Sequence, residues 1–180
     1  MKFLSNIRLL LMGLWLGAAV FFIGVAQSAF AVLPTRDLAG MIVNRTLMIV
    51  QVAGIVIAVL LLATSLIGAA GTNRALLWAE RLLLVIVAAA CAVGQFVIAL
   101  WMWNIRAQMG KPIDEVPVDD PLRVQFNNLH DYSEWVMLAA IASALIVFFI
   151  IANRRASGAA ASSKTSTSDP FDFSKEFKKA

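Results

Sequence analysis

The stretch LLLMGLWLGAAVFFIGVAQSAFAVL, residues Leu9–Leu33, decides the fold. It contains no charged side chain, and its apolar residues do not alternate with polar ones. At about 1.5 Å per residue, a helix over it is ~37 Å long, enough to cross the ~30 Å hydrocarbon core of a bilayer. A barrel strand would alternate apolar and polar residues and be far shorter. The reading is a transmembrane helix.

Three more uncharged stretches follow: Thr46–Thr72, Leu82–Trp103 and Trp135–Ala152. The expected fold is therefore all-α, an integral membrane four-helix bundle occupying residues 1–152, with spans at about 9–33, 46–70, 82–104 and 131–152. Composition agrees. Of 180 residues, 61% are hydrophobic and 14% charged, against about 45–50% and about 25% in soluble domains. Four crossings leave no room for a separate catalytic domain. The first span has a rival reading. Met1–Arg8 and the A-x-A-like Ala29–Ala31 outline a secretory signal peptide, but the apolar run is much longer than the about 7–15 residues of a signal core.

Local signals mark the helix ends. Pro34 closes the first helix, Gly110-Lys111-Pro112 the third, and Asp120-Pro121 places an N-cap and a first-turn proline before the fourth. Asn153–Ala180 is rich in Ala, Ser, Thr and Lys and reads as a disordered cytoplasmic tail. With both termini in the cytoplasm, the inner side holds ten Lys and Arg residues and the outer side five. The positive-inside rule then favours a multi-pass cell-membrane protein in that orientation.

Polar residues within the spans are the informative ones, because each costs free energy in lipid unless it is paired. Gly13, Gly17 and Gly24 share one stripe of the first helix with Gln27 and Ser28. Small residues at such spacing let a second backbone approach, either within the bundle or between protomers. Gln27, Gln51 and Gln95 fall at a similar depth below the outer boundary, and Asn44 shares a face with Gln51. Above them, Arg123, Asn127, His130 and Glu134 line one side of the fourth helix. These eight residues form a candidate polar patch in the outer half of the bundle. Two readings stay open: interhelical hydrogen bonds that glue the helices, or a small cavity for a head group, a quinone or a cation.

Several chemistries have no residues to carry them. One histidine excludes bis-histidine haem ligation, and the single Cys91 excludes an internal disulfide and a CxxC site. His130 with Glu134 supplies too few ligands for structural zinc. No catalytic triad, P-loop, dinucleotide glycine motif or basic nucleic-acid footprint is visible. The sequence thus points to a non-enzymatic protein without cofactor or metal. Its partner is the lipid bilayer, together with copies of itself or another membrane protein, and nucleic acid is excluded.

Leu14-Trp-Leu-Gly-Ala-Ala-Val-Phe-Phe22, Ala29-Phe30 and Leu33-Pro34 resemble the first helix of the transmembrane protein 205-like family, whose bacterial members carry a domain of unknown function. Ala39-Gly40 is similar to the opening of that family's second helix. Asp120-Pro121-Leu122-Arg123, followed by Phe126, Leu129-His130 and Ser133, is similar to the start of its last. The resemblance covers roughly residues 9–152. It implies a four-helix membrane unit and draws attention to His130, and it supplies no reaction or substrate.

Overall fold

A computed structural model describes the backbone over residues 2–67 and 74–165, and side chains over 3–66 and 74–154. Its helices are α1 (Lys2–Val32), α2 (Arg36–Ile67), α3 (Arg74–Val93), α4 (Ala99–Met109) and α5 (Pro121–Thr165). A wide π-helical turn, Gly94–Ile98, joins α3 to α4, so that the two read as one long helix over Arg74–Met109. Among the described residues four helices are long and apolar enough to span a membrane: Phe3–Val32, Arg36–Leu66, Arg74–Met109 and Pro121–Arg154. The protein is an all-α, integral membrane four-helix bundle.

The chain runs up and down. α1 packs on α2, α2 on α3, α3 on α5, and α5 back on α1. Two ends result. One gathers the start of α1, the end of α2, the start of α3 and the last membrane turn of α5. The other gathers the α1–α2 turn, α4, the short 3-10 turn Ile113–Glu115 and the start of α5. They are called below the Glu80 end and the His130 end.

Each boundary has a local cause. α1 stops at Val32 before Pro34, which cannot continue a helix. α2 starts at Arg36, ten residues before the apolar run at Thr46, because Thr35 caps it: the Leu38 amide donates to Thr35 Oγ1 at 3.3 Å. Gly110 ends α4 with φ +62°, a left-handed conformation that glycine adopts without strain. The Leu122 amide donates to Asp120 Oδ1 at 2.8 Å, which makes Asp120 the N-cap of α5. At its other extremity α5 continues to Thr165. The first part of the segment expected to be a disordered tail is therefore helical, because its alanines extend the turn begun in the membrane. Residues 166–180 lie outside the described ones.

The interior is a thin seam. Met12, Trp15, Ala19 and Phe22 of α1 are buried at spacings of three and four, against Val50, Ala58 and Leu61 of α2, Leu84 and Val87 of α3, and Met137, Ala140, Ala144 and Val147 of α5. Alanine recurs where helices come closest, as expected where no hydrophobic drive exists between helices in lipid and packing must rest on close approach. Most remaining large side chains, such as Phe21, Met41, Leu66 and Trp103, face outward and suit contact with acyl chains.

Candidate functional site

Three polar groupings stand out, and the sequence reading anticipated only parts of them. The deepest sits at the Glu80 end. Glu80, in the second turn of α3, is completely buried. Its Oε1 accepts from Arg8 Nη2 of α1, and its Oε2 accepts from Arg154 Nη1 of α5. Arg8 Nη2 also donates to the Leu61 carbonyl of α2 at 3.2 Å. One carboxylate thus ties α1, α3 and α5, and Arg8 extends the tie to α2. Arg8 Nε is buried without an acceptor. The adjacent Arg81 turns to α2: its Nε donates to Ser65 Oγ at 3.2 Å and its Nη2 to the Ser65 carbonyl at 3.1 Å. The Ser65 hydroxyl in turn donates to the Leu62 carbonyl at 2.7 Å. Charge-assisted bonds of this kind are about twice as strong as neutral ones.

The sequence reading counts Arg8, Arg81 and Arg154 among the ten basic residues of the inner side, with Arg154 as an anchor at the inner leaflet, and passes over Glu80. A signal was present. Glu80 is an isolated acid between Trp78 and Arg81 at a span boundary, level with Arg8 before Leu9 and Arg154 after Ala152. A lone carboxylate at that depth needs basic partners, and the spans place two at its height.

The second grouping lies mid-bundle. Gln51 is buried, with Oε1 lacking a partner among the described atoms. Its amide lies directly against Gly94, where the π-helical turn begins: a Cβ on Gly94 would stand 2.3 Å from Gln51 Nε2. One turn further along α2, a Cβ on Gly54 would stand 2.7 Å from Trp15 Nε1 and 2.8 Å from Cys91 Sγ. Trp15 Nε1 donates to the Val50 carbonyl at 2.9 Å. That bond accounts for a tryptophan far from the interfacial belt. Among the described residues Gly54 and Gly94 are thus the glycines with the least space for a side chain, and the sequence reading did not select them.

The third grouping is the His130 end. Arg106 of α4 meets Asp37 of α2 at 2.6 Å and donates as well to the Lys111 carbonyl. Arg36 pairs with Asp114 at 3.5 Å on the surface. Arg123 donates to the Val116 carbonyl and fastens the loop to α5. His130 Nε2 lies 3.3 Å from Glu134 Oε1, in a pair that is largely exposed.

The expected polar patch is distributed as follows. Gln51 is interior. Gln95, in the π-helical turn beside Gly94, is half-buried, as are Arg123 and His130. Gln27, Asn44, Asn127 and Glu134 are exposed. Of the eight, only Gln51 is buried in the interior, and Gln95 follows directly on Gly94, against which the Gln51 amide lies. The expected glycine stripe also divides. A Cβ on Gly13 would lie 3.3 Å from the Phe148 ring, whereas Gly17 and Gly24 face open space with nothing within 4 Å. The within-bundle alternative for that stripe does not hold at Gly17 and Gly24. At about 100° per residue they point roughly opposite to the buried face of Met12, Trp15, Ala19 and Phe22. Among the described residues no group of three or more His, Cys, Asp or Glu is placed to hold a metal ion.

Residues 10–111 match the family model described as Domain of unknown function (DUF4149). The chain belongs to this family. The match takes in α1 through α4 and ends at Lys111, so the Asp120–Ser133 motif of α5 lies beyond it. No curated protein and no solved structure matches the chain.

Proposed function

We propose that this DUF4149 protein is a non-enzymatic helical subunit of a membrane assembly, formed with copies of itself or with another membrane protein. One observation carries the reading. Gly17, Gly24, Gln27 and Ser28 lie exposed along α1, on the side turned away from its own bundle. Gly24 and Ser28 have the small-xxx-small spacing that lets helix backbones approach. A glutamine amide in the same row gains from a partner's hydrogen bond, which lipid does not offer. Use of the outer polar patch as a ligand site has less support, because four of its eight members are exposed on the helices. The reading further places the protein in the cell membrane with cytoplasmic termini and within the transmembrane protein 205-like family.

The test is cysteine crosslinking in native membranes, in a Cys91→Ala background. Gly17→Cys and Gly24→Cys are expected to give crosslinked species, and Leu138→Cys, exposed on α5, to give none. Gly17→Ile is expected to abolish the link formed at position 24. Absence of any crosslinked species at 17 and 24, with a monomer in several mild detergents, rejects the proposal. In the same background, a cysteine added at either terminus should react with an impermeant thiol reagent only after the membrane is ruptured. Labelling of intact cells overturns the orientation.

A further inference from the structure

We propose that Arg81 and Trp78, at the Glu80 end, form a binding site for the phosphate of an anionic phospholipid. The argument begins with charge. Glu80 spends both oxygens on Arg8 and Arg154. Arg81, its neighbour in sequence, has no carboxylate partner among the described residues. What holds it is neutral: the Ser65 hydroxyl and carbonyl. A guanidinium has five N–H donors in a fixed fork, and these two bonds occupy only one side of it.

Position supplies the second step. Arg81 immediately precedes the uncharged run that begins at Leu82, so it stands at the hydrocarbon boundary, where lipid phosphates lie. It is half-buried, and its guanidinium carbon lies 5.9 Å from the centroid of the Trp78 ring. Trp78 is 67% exposed. The cation is therefore tied to Ser65 beside the Trp78 ring, with three of its five donors unused by the Ser65 bonds. A tethered guanidinium at that depth attracts the anionic phosphates of the leaflet.

The third step is the path for the rest of the lipid. Trp78, Leu82 and Val85 are all exposed and follow one another at spacings of four and three, a single lipid-facing track on α3. The track leads from the headgroup level into the membrane. A phosphate on Arg81, with an acyl chain along Leu82 and Val85, fits both the charge and the apolar surface. Free inorganic phosphate would use the first and leave the second unused.

The experiment is native mass spectrometry of the full chain in nanodiscs containing equal parts of phosphatidylcholine and phosphatidylglycerol. The expected result is retention of phosphatidylglycerol over phosphatidylcholine, reduced about 5-fold by Arg81→Gln, the loss expected for one basic residue near the surface. Arg81→Lys should keep a measurable part of the preference. Arg36→Gln, at the opposite end, should keep all of it. Because Arg81→Gln also releases the tie to α2, Trp78→Leu is a second variant that leaves that tie intact, and it should lower the preference too. The proposal is overturned if the wild type shows no preference for the anionic lipid, or if Arg81→Gln and Trp78→Leu both retain it in full. It is also overturned if millimolar inorganic phosphate displaces the lipid, since the site would then be one for the free anion.

Discussion

Gln51 and Gly94 are matched atom to atom. The amide fills the space that any side chain at position 94 would need. Gly94→Ala is therefore expected to destabilise the protein by about 1–3 kcal/mol, the usual cost of overpacking a filled interior. Adding Gln51→Ser should restore most of that loss, because it withdraws the amide and leaves room for the methyl. Thermal unfolding in detergent of the two single variants and the double variant measures the coupling. Additive losses would show that the two residues do not meet. Gly17→Ala offers the contrast at this scale, since a Cβ there meets nothing in its own chain.

At the scale of elements, most of what matters was legible in the sequence. Hydropathy is a local property, so the four spans follow from runs of uncharged residues. Caps are local as well: Asp120, Pro34 and Gly110 all act where the sequence places them. Asp120→Ala is expected to cost about 0.5–2 kcal/mol and to fray the start of α5. Faster hydrogen exchange at the Leu122–Val124 amides, with the centre of α5 unchanged, is the result to look for. Unchanged exchange at Leu122 would show that the cap does not hold the first turn. What periodicity did not reveal is which neighbour a face meets. The Gly13–Gly17–Gly24 stripe is real as a pattern, but α1 turns Trp15 and Met12 inward, so Gly17 and Gly24 go out with the opposite face while Gly13 stays against Phe148. The π-helical turn at Gly94–Ile98 also left no mark in the local pattern; it begins where the Gln51 amide of a different helix lies against Gly94. The same limit applied to Glu80. Its two partners lie 72 and 74 residues away, and only the bundle brings them together.

Across the whole molecule, the two ends are held differently. At the His130 end the ion pairs are half-buried or exposed, and pairs of that kind contribute little, about 0–1 kcal/mol each. At the Glu80 end a buried carboxylate joins helices from the beginning, middle and end of the chain. Glu80→Ala leaves two guanidiniums facing each other and is expected to cost about 3–5 kcal/mol. Replacing all three charged residues together, as Arg8→Met, Glu80→Leu and Arg154→Met, should cost far less, because no buried charge is then left unpaired. Thermal stability in one detergent compares them, and a triple variant no more stable than Glu80→Ala would show that the triad is worth more than its charges. The Glu80 knot also has a meaning for biogenesis. Glu80 leaves the ribosome 74 residues ahead of Arg154. At about 5–20 residues per second, that separates them by roughly 4–15 s of translation. Throughout that interval the nascent chain holds an acid at the membrane edge with one of its two cations not yet made. Completion of the last helix is thus the event that closes the bundle, because only then is the second cation of the Glu80 knot in place.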